Sequence, residues 1–134
     1  MQELTLKAIT DNLGRVTDFV NEILEENGCP MKEQMLIDIA LEEIFVNIAS
    51  YAYSPGTGDV LIHCGVENGE VRIVFIDSGK PFDPLKKPDP DITLSAQERE
   101  IGSLGIYMAK KYMDNMLYEY SDNQNKLAVT KKFS

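Results

Sequence analysis

A long apolar helix between segments of strand character most constrains how this chain can fold. The helix begins near Pro30, a residue suited to a first helical turn. A run of turn-forming residues at 54–58, Ser-Pro-Gly-Thr-Gly, ends it. Its apolar residues recur at helical spacing: Met35, Leu36, Ile39, Ala40, Ile44, Phe45, Val46, Ile48 and Ala49. The sequence therefore predicts one long and largely apolar helix between Pro30 and Ser54.

The remaining elements are predicted from the spacing of apolar residues and from the turn residues between them. Asn68-Gly69, flanked by β-branched segments, is the strongest short signal for a hairpin. Residues 122–125 are predicted to join two closing strands. In chain order the elements are a strand at 4–8, a helix capped by Asp11 or Asn12 that reaches about Glu26, the long helix, strands at 60–66 and 71–76, a helix at 101–113, and strands at 116–120 and 127–133.

This order of elements predicts the fold class. Strands grouped apart from helices indicate an α+β, two-layer sandwich, and we expect a mixed, mostly antiparallel sheet with helices on one face. The 134 residues are the usual size of one domain, and no internal repeat or low-complexity tract divides them. We therefore expect a single domain over residues 1–134.

Charge and composition exclude some classes of partner. The net charge is −9, from 22 acidic and 13 basic residues. Binding to nucleic acid or to an anionic membrane depends on clustered Lys and Arg, so we expect neither as a partner. The N-terminus lacks the features of a signal peptide and no run is long enough to span a bilayer, which predicts a cytoplasmic protein. Cys29 and Cys64 lack metal-ligand spacing and are expected to be reduced thiols.

The long helix carries two polar residues, Glu43 and Asn47, one turn apart on the same face. An Asn within so apolar a helix costs free energy unless its amide finds partners. Its carbonyl oxygen is a hard ligand suited to Mg²⁺, and a carboxylate one turn away can position or deprotonate a nucleophile. Taken alone, the pair is explained as well by a polar rim on an amphipathic helix.

A second polar segment, residues 77–84 with the sequence Asp-Ser-Gly-Lys-Pro-Phe-Asp-Pro, follows the strand at 71–76. Asp77 can present an acceptor to the amino group of a base, and Gly79 can let a ligand approach the backbone. A strand that ends in a simple β-turn is the alternative. The irregular stretch that follows is long, and such a loop within a compact domain is usually functional or disordered.

A third segment, Gly102-Ser103-Leu104-Gly105, lies at the start of the predicted helix at 101–113. Unblocked N–H groups and the positive end of the helix dipole can bind a phosphate there. Arg99, just before this segment, is a candidate for charge stabilisation because a guanidinium binds phosphate through two hydrogen bonds. Alone, a glycine-containing helix start is a weak signal.

In this order the three segments resemble the motifs of the GHKL ATPase and kinase superfamily, and within it the small anti-sigma factor serine kinases. Glu43-x-x-x-Asn47 matches the N box, which implies that Asn47 binds Mg²⁺ and that Glu43 is the general base. Asp77-x-Gly79, with the Pro-Phe-Asp-Pro that includes Phe82, matches the first glycine box. The resemblance implies that Asp77 accepts a hydrogen bond from the adenine amino group.

The resemblance extends to the second glycine box, where Gly102, Ser103, Leu104 and Gly105 are implied to contact the phosphates of ATP. Residues from about 80 to 100 would form the ATP lid. The implied activity is a serine/threonine protein kinase that uses Mg²⁺ and ATP. The implied partners are a STAS-domain anti-sigma factor antagonist, a sigma factor, and a second copy of the chain in a homodimer.

Two other functions remain open at this stage. The chain could be a nucleotide-binding switch that acts through partner binding without significant kinase activity. It could also be the catalytic domain of a histidine kinase. The second alternative is disfavoured because His63, the one histidine, lies between the boxes rather than on an upstream dimerisation helix.

Overall fold

The protein is represented by a computed structural model that describes residues 1–86 and 103–134, with the backbone alone described for 103–105. The predicted order of strands and helices is confirmed. The elements are β1 (Gln2–Lys7), α1 (Leu13–Glu26), α2 (Met31–Tyr51), β2 (Asp59–Glu67), β3 (Glu70–Asp77), α3 (Ser103–Tyr112), β4 (Asn115–Ser121) and β5 (Gln124–Lys132). Short 3₁₀ turns lie at Thr10–Asn12 and Pro84–Lys86.

The strands form one sheet in the order β1-β2-β3-β5-β4. Every pairing between these strands is antiparallel, so the described sheet has no parallel component of the kind that a mixed sheet would contain. The predicted α+β class is confirmed. The order places β3 at the centre, beside β5, and brings Asp77 directly opposite Asn125 in the register.

One hydrophobic core lies between the sheet and the three helices. Alternate residues of β2 and β3 are buried there, since side chains along a strand point alternately to opposite faces. Phe45 of α2 and Phe75 of β3 are almost completely buried in this core. Full burial of such a side chain contributes roughly 1.5–3 kcal/mol, so these contacts hold α2 against the sheet.

The start of α1 differs from the predicted side-chain cap. Asn12 precedes the helix, but its side chain makes no capping hydrogen bond. Its Nδ2 instead donates to the carbonyl oxygen of Lys7 at 2.9 Å. The 3₁₀ turn at Thr10–Asn12 explains the difference, because Asn12 at φ −92° and ψ 2° lacks the extended backbone of a usual cap.

The hairpin between β4 and β5 is tighter than predicted. Its turn consists of Asp122 and Asn123, both with positive φ, and residues 124 and 125 already belong to β5. A two-residue turn with two positive φ values is the type favoured between antiparallel strands. Asn125, predicted to be a turn residue, is therefore a strand residue.

The predicted lid at about 80–100 lies mostly outside the described residues. Its described part, residues 80–86, contains the 3₁₀ turn Pro84–Lys86. Arg99 and Gly102 also lie outside the described residues. None of the described helices is long and apolar enough to cross a membrane.

Candidate functional site

A cleft opens between the C-terminal half of α2 and the adjacent ends of β3 and β5. It encloses about 480 Å³ of empty space, a volume that includes open solvent at its mouth. Three predicted site residues, Asn47, Asp77 and Phe82, line it together. The remaining lining residues are mostly apolar or aromatic: Ile44, Ile48, Tyr51, Ala52, Phe75, Lys80, Pro84, Ile106, Tyr118, Asn125 and Leu127.

The α2 side of the cleft carries Asn47. This side chain is half-buried, and among the described residues it has no hydrogen-bond partner. Its amide oxygen is therefore available to a ligand. Because Mg²⁺ takes few protein ligands and completes its shell with water and phosphate oxygens, one amide oxygen in a nucleotide cleft fits its requirements.

Glu43 lies one turn before Asn47 and is half-buried, but it does not belong to the lining of the cleft. Burial, and to a smaller extent the neighbouring carboxylate of Glu42, raises the pKa of Glu43 above its usual value. A raised pKa makes a carboxylate a stronger base, which suits a residue that accepts a proton from a hydroxyl.

Asp77, the last residue of β3, lies at the sheet end of the cleft and is only 6% exposed. Its Oδ1 accepts hydrogen bonds from the backbone N–H of Gly79 at 2.9 Å and from Asn125 Nδ2 at 3.0 Å. Within the described part of the chain, no donor contacts Oδ2. A buried carboxylate with one saturated oxygen and one open oxygen is a directional acceptor for a ligand N–H.

Gly79 is required by a contact that the sequence did not predict. A Cβ on Gly79 would lie 2.2 Å from the carbonyl oxygen of Ala52, which is too close for any side chain. The next residue, Lys80, donates its backbone N–H to the same carbonyl at 2.9 Å. The glycine therefore allows the loop after β3 to pass directly over the C-terminal end of α2.

Tyr53 anchors the same loop from the other side and was not predicted as a site residue. Its hydroxyl accepts a hydrogen bond from the Ser78 N–H at 2.8 Å and donates to the carbonyl oxygen of Asp59. The ring fills the space beside Gly58, where an added Cβ would lie 2.4 Å from it. Tyr53 thus ties the chain just after α2 to the start of β2 and to the loop that follows Asp77.

Asn125 is the second residue that the sequence analysis missed. It is 7% exposed, and it lines the cleft directly opposite Asp77. The signal for it was present, because Asn125, Leu127 and Val129 share the buried face of β5 at a period of two. A polar residue at a core-facing strand position is unusual and indicates a specific hydrogen-bonding role.

The second glycine segment lies at the start of α3, which begins at Ser103 and packs against α2. Ile106, in the first turn of α3, lines the cleft. The N-terminal end of α3 is therefore beside the cleft, where its backbone N–H groups can bind an anion. The side chains of Ser103 and Leu104 lie outside the described part of the structure.

The described residues contain no group of three or more His, Cys, Asp or Glu side chains arranged to hold a metal ion. A metal ion in this cleft would instead depend on the Asn47 amide and on the oxygens of a bound nucleotide. This is the manner in which Mg²⁺ is commonly bound in phosphate-transferring sites.

Comparison with known proteins places this geometry in a family. A family model described as a histidine kinase-like ATPase domain matches residues 6–131, nearly the whole chain. A serine/threonine-protein kinase from Bordetella bronchiseptica, BtrW, is 26% identical over 96 residues, which cover 70% of this chain and 67% of that protein.

Solved structures show the same fold at lower identity. The RsbU and RsbW domains of a Mycobacterium tuberculosis protein match 98% of this chain with a TM-score of 0.66 and 16% identity. The histidine kinase domain of a blue-light activated kinase from Erythrobacter litoralis matches 92% of the chain with a TM-score of 0.60 and 14% identity. The chain spans only 32% and 60% of the lengths of these two structures.

The match over residues 6–131 covers both sides of the cleft and the strands that carry Asp77 and Asn125. ATP binding is the property that this family implies at the coarsest level. The chain belongs to the family of the histidine kinase-like ATPase domain, with the GHKL fold that the three sequence segments predicted.

Proposed function

We propose that this chain is a cytoplasmic serine/threonine protein kinase of the anti-sigma factor type. It would bind ATP with Mg²⁺ and phosphorylate a serine of a STAS-domain anti-sigma factor antagonist, and so regulate a sigma factor by partner switching. The proposal is supported chiefly by one observation, the meeting of Asn47 and Asp77 in a single apolar cleft beside the start of α3. A homodimer is part of the proposal, by resemblance alone.

Each side of the cleft has a distinct proposed role. Asp77 would accept a hydrogen bond from the base amino group, and Phe82, which is partly exposed at the cleft, would cover the base. Asn47 would hold Mg²⁺. Arg99 and the backbone N–H groups of residues 102–105 would bind the phosphates. Phosphoryl transfer depends mainly on positioning and charge stabilisation, so this small set of groups suffices.

Glu43 would orient or deprotonate the serine hydroxyl of the protein substrate. The raised pKa of Glu43 favours this role, and Glu43 lies on α2 one turn before Asn47, whose amide would hold Mg²⁺. The B. bronchiseptica relative, which is named as a serine/threonine-protein kinase, supports the same class of acceptor.

A second candidate function is an ATP-dependent binding module without significant kinase activity. It is favoured by one observation, that Glu43 does not line the cleft. In such a module the carboxylate would only support the polar face of α2. Both functions require ATP in the cleft, so nucleotide binding alone does not separate them.

The variant Glu43→Gln separates the two functions, because glutamine keeps the shape and the hydrogen-bonding reach but removes the basicity. Phosphorylation of a STAS-domain antagonist by labelled ATP should fall by about 10²-fold or more, the typical scale for a positioned general base. The affinity for Mg-ATP, measured by calorimetry, should change little. Glu22→Gln is the matched control for the lost charge, since Glu22 lies at an exposed position on α1.

An equal loss of affinity and phosphorylation in Glu43→Gln would assign Glu43 to support of the helix face. A wild-type protein that transfers no phosphate but binds the antagonist only with ATP would establish the binding module instead. Asn47→Ala tests the metal separately, because it should remove the Mg²⁺ dependence of ATP binding while the fold is retained. Unchanged affinity for Mg-ATP in this variant would contradict the metal assignment.

A further inference from the structure

The cleft contains two of the three buried polar or charged side chains in the described part of the chain. These two are Asp77 and Asn125, which are cross-strand neighbours, and the third is Gln34 on α2. Burial of a polar side chain costs free energy unless its hydrogen-bonding groups are satisfied. The contacts of Asn125 therefore show what the residue is positioned to do.

The amide of Asn125 is used to its full capacity. Nδ2 donates to Asp77 Oδ1 at 3.0 Å and to the carbonyl oxygen of Lys80 at 2.8 Å. Oδ1 accepts from the backbone N–H of Phe82 at 3.1 Å and from the hydroxyl of Tyr118. An amide has two donor hydrogens and one carbonyl oxygen, and all of them are satisfied here by groups that line or bound the cleft.

Tyr118 fixes the direction of these hydrogen bonds. Burial, foremost among several causes, raises the pKa of the Tyr118 phenol, so the hydroxyl stays protonated and donates. Because Asn125 Oδ1 receives this donor and the Phe82 N–H, the amide must turn its Nδ2 toward Asp77. Asp77 Oδ1 is then held as an acceptor, and Oδ2 is the oxygen that remains for a ligand.

We propose that Asn125 is a positioning residue that sets the base selectivity of the cleft, because it fixes Asp77 with only Oδ2 open to an amino group on a purine. The inference rests on the proposed nucleotide-binding function. The same side chain fastens the loop at Lys80 and Phe82, so the acceptor and the loop over the base are held by one amide. A base that lacks an amino group would leave the buried Oδ2 without a donor.

The residue type matters, since an aspartate at position 125 would place a second carboxylate against Asp77 Oδ1. Two carboxylates that share a site cannot both ionise without cost, and one of them takes up a proton as the pH falls. In Asn125→Asp, the acceptor geometry should therefore be lost at pH 8 and partly restored near pH 5.5. A purely structural role for Asn125 would give no such recovery of selectivity.

The test compares affinities for ATP and for purine riboside triphosphate, which lacks the 6-amino group, both with Mg²⁺ and by calorimetry. The ratio of the two dissociation constants is the measurement, because phosphate titration and loop stability affect both nucleotides alike. The wild type should prefer ATP by about 10- to 100-fold, the scale of one hydrogen bond to a charged group. In Asn125→Ala the ratio should fall below about 3-fold.

Tyr118→Phe provides a second, milder variant, since it keeps the ring at the cleft and removes the hydroxyl that donates to Asn125. Its ratio should lie between those of the wild type and Asn125→Ala. Gln124→Ala is the matched control, because its side chain precedes Asn125 in β5 and points to the other face of the sheet. Its ratio should equal that of the wild type.

The outcomes separate this inference from the proposed function. A strong wild-type preference for ATP that survives in Asn125→Ala and Tyr118→Phe would overturn the inference alone. If Asn125→Ala does not fold, as judged by circular dichroism, the ratios of Asn125→Asp and Tyr118→Phe decide in the same way. A wild type that binds both nucleotides equally would overturn the role of Asp77 together with that of Asn125.

Discussion

Among the described residues, two Asn–Asp pairs are joined by a hydrogen bond, and they differ in how completely their other hydrogen-bonding groups are satisfied. At the cleft, Asn125 and Asp77 meet at 3.0 Å and share donors from the surrounding loop. Between α1 and α2, Asn21 Nδ2 donates to Asp38 Oδ2 at 3.4 Å. There the Oδ1 atoms of both residues are buried, and they find no hydrogen-bond partner in the described part of the chain.

The difference distinguishes a polar pair whose orientation is fixed at the cleft from a polar pair whose remaining groups are left unsatisfied by the packing of two helices. The cleft pair is built from strands and a loop that all supply hydrogen-bonding groups, so the carboxylate has one defined orientation. The helix pair has only side chains facing it, because the backbone groups of α1 and α2 are already used within the helices. Burial consequently raises the pKa of Asp38.

The largest effect on the free energy of unfolding is expected for a substitution that displaces the loop after β3, at the edge of the cleft. Gly79→Ala places a Cβ where the carbonyl group of Ala52 lies, and the backbone must move to relieve the clash. We expect the free energy of unfolding to fall by about 3 kcal/mol or more, measured by urea denaturation. Gly14→Ala in α1 is the control, since its added Cβ meets nothing within 4 Å.

Gly14→Ala should raise the stability by up to about 1 kcal/mol, because alanine is the better helix former. The two substitutions are chemically identical and differ only in their surroundings. Equal effects of the two would mean that the loop after β3 is not held against α2.

The next prediction compares the two Asn residues directly. Asn125→Ala removes both donors and the acceptor of a saturated amide and leaves buried groups without partners, so it should cost about 2–3 kcal/mol of unfolding free energy. Asn21→Ala removes one long hydrogen bond and one buried oxygen without a partner, and it should cost at most about 1 kcal/mol. Thermal and urea denaturation of both variants would check this order, and the reverse order would contradict the comparison.

A smaller loss of unfolding free energy is expected for a substitution at Tyr53, which anchors the loop after β3. Tyr53→Phe keeps the ring beside Gly58 but removes the hydroxyl that links Ser78 and Asp59. The loss should be about 1–1.5 kcal/mol, the net contribution of a typical hydrogen bond or slightly more. Tyr120→Phe, at an exposed position in β4, should have little effect. A larger loss for Tyr120→Phe than for Tyr53→Phe would show that the anchor is unimportant.

Much of the fold was predictable from the sequence because its elements depend on local patterns. The alternation in β2 and β3 and the Asn68-Gly69 turn determine the central hairpin without any tertiary information. The fold class followed from the order of the elements. Gly79 was also selected from the sequence, on the expectation that it lets a ligand approach the backbone. In the structure, the close contact that requires a glycine there is with Ala52.

The polar half of the site was less predictable, because it depends on the register between distant strands. Asp77 and Asn125 are 48 residues apart, and only the pairing of β3 with β5 brings them together. The period of two through Leu127 and Val129 was the signal for a core-facing Asn125, but the turn-forming residues at 122–125 do not by themselves distinguish a turn of four residues from a turn of two. The anchoring role of Tyr53 likewise depends on contacts with Ser78 and Asp59 that no spacing rule encodes.

The smallest effect on the free energy of unfolding is expected for the Asn21–Asp38 pair between α1 and α2. A substitution there should supply a hydrogen bond to a buried oxygen that has none among the described residues. Asp38→Asn replaces a carboxylate by an amide whose Nδ2 can donate to Asn21 Oδ1, while its own oxygen still accepts from Asn21. At pH 7 this should raise the free energy of unfolding by about 0.5 kcal/mol, a reduced value because Asp38 is only half-buried. Asp18→Asn, at an exposed position on α1, controls for the lower net charge.

The pH dependence of this gain follows from the direction of the pKa shift. The pKa of Asp38 is higher in the folded protein than in the unfolded chain. The contribution of Asp38 to the free energy of unfolding is therefore most favourable below the unfolded pKa of about 3.9. It is lost as the pH rises through the pKa of the folded state. As the pH falls through the raised pKa, Asp38 takes up a proton and can itself donate to Asn21 Oδ1, so the gain from Asp38→Asn should shrink toward acid pH. Urea denaturation at pH 7 and pH 4 measures both values. A gain that is the same at both pH values, or that Asp18→Asn reproduces, would show that the orphaned oxygens between α1 and α2 cost the protein nothing.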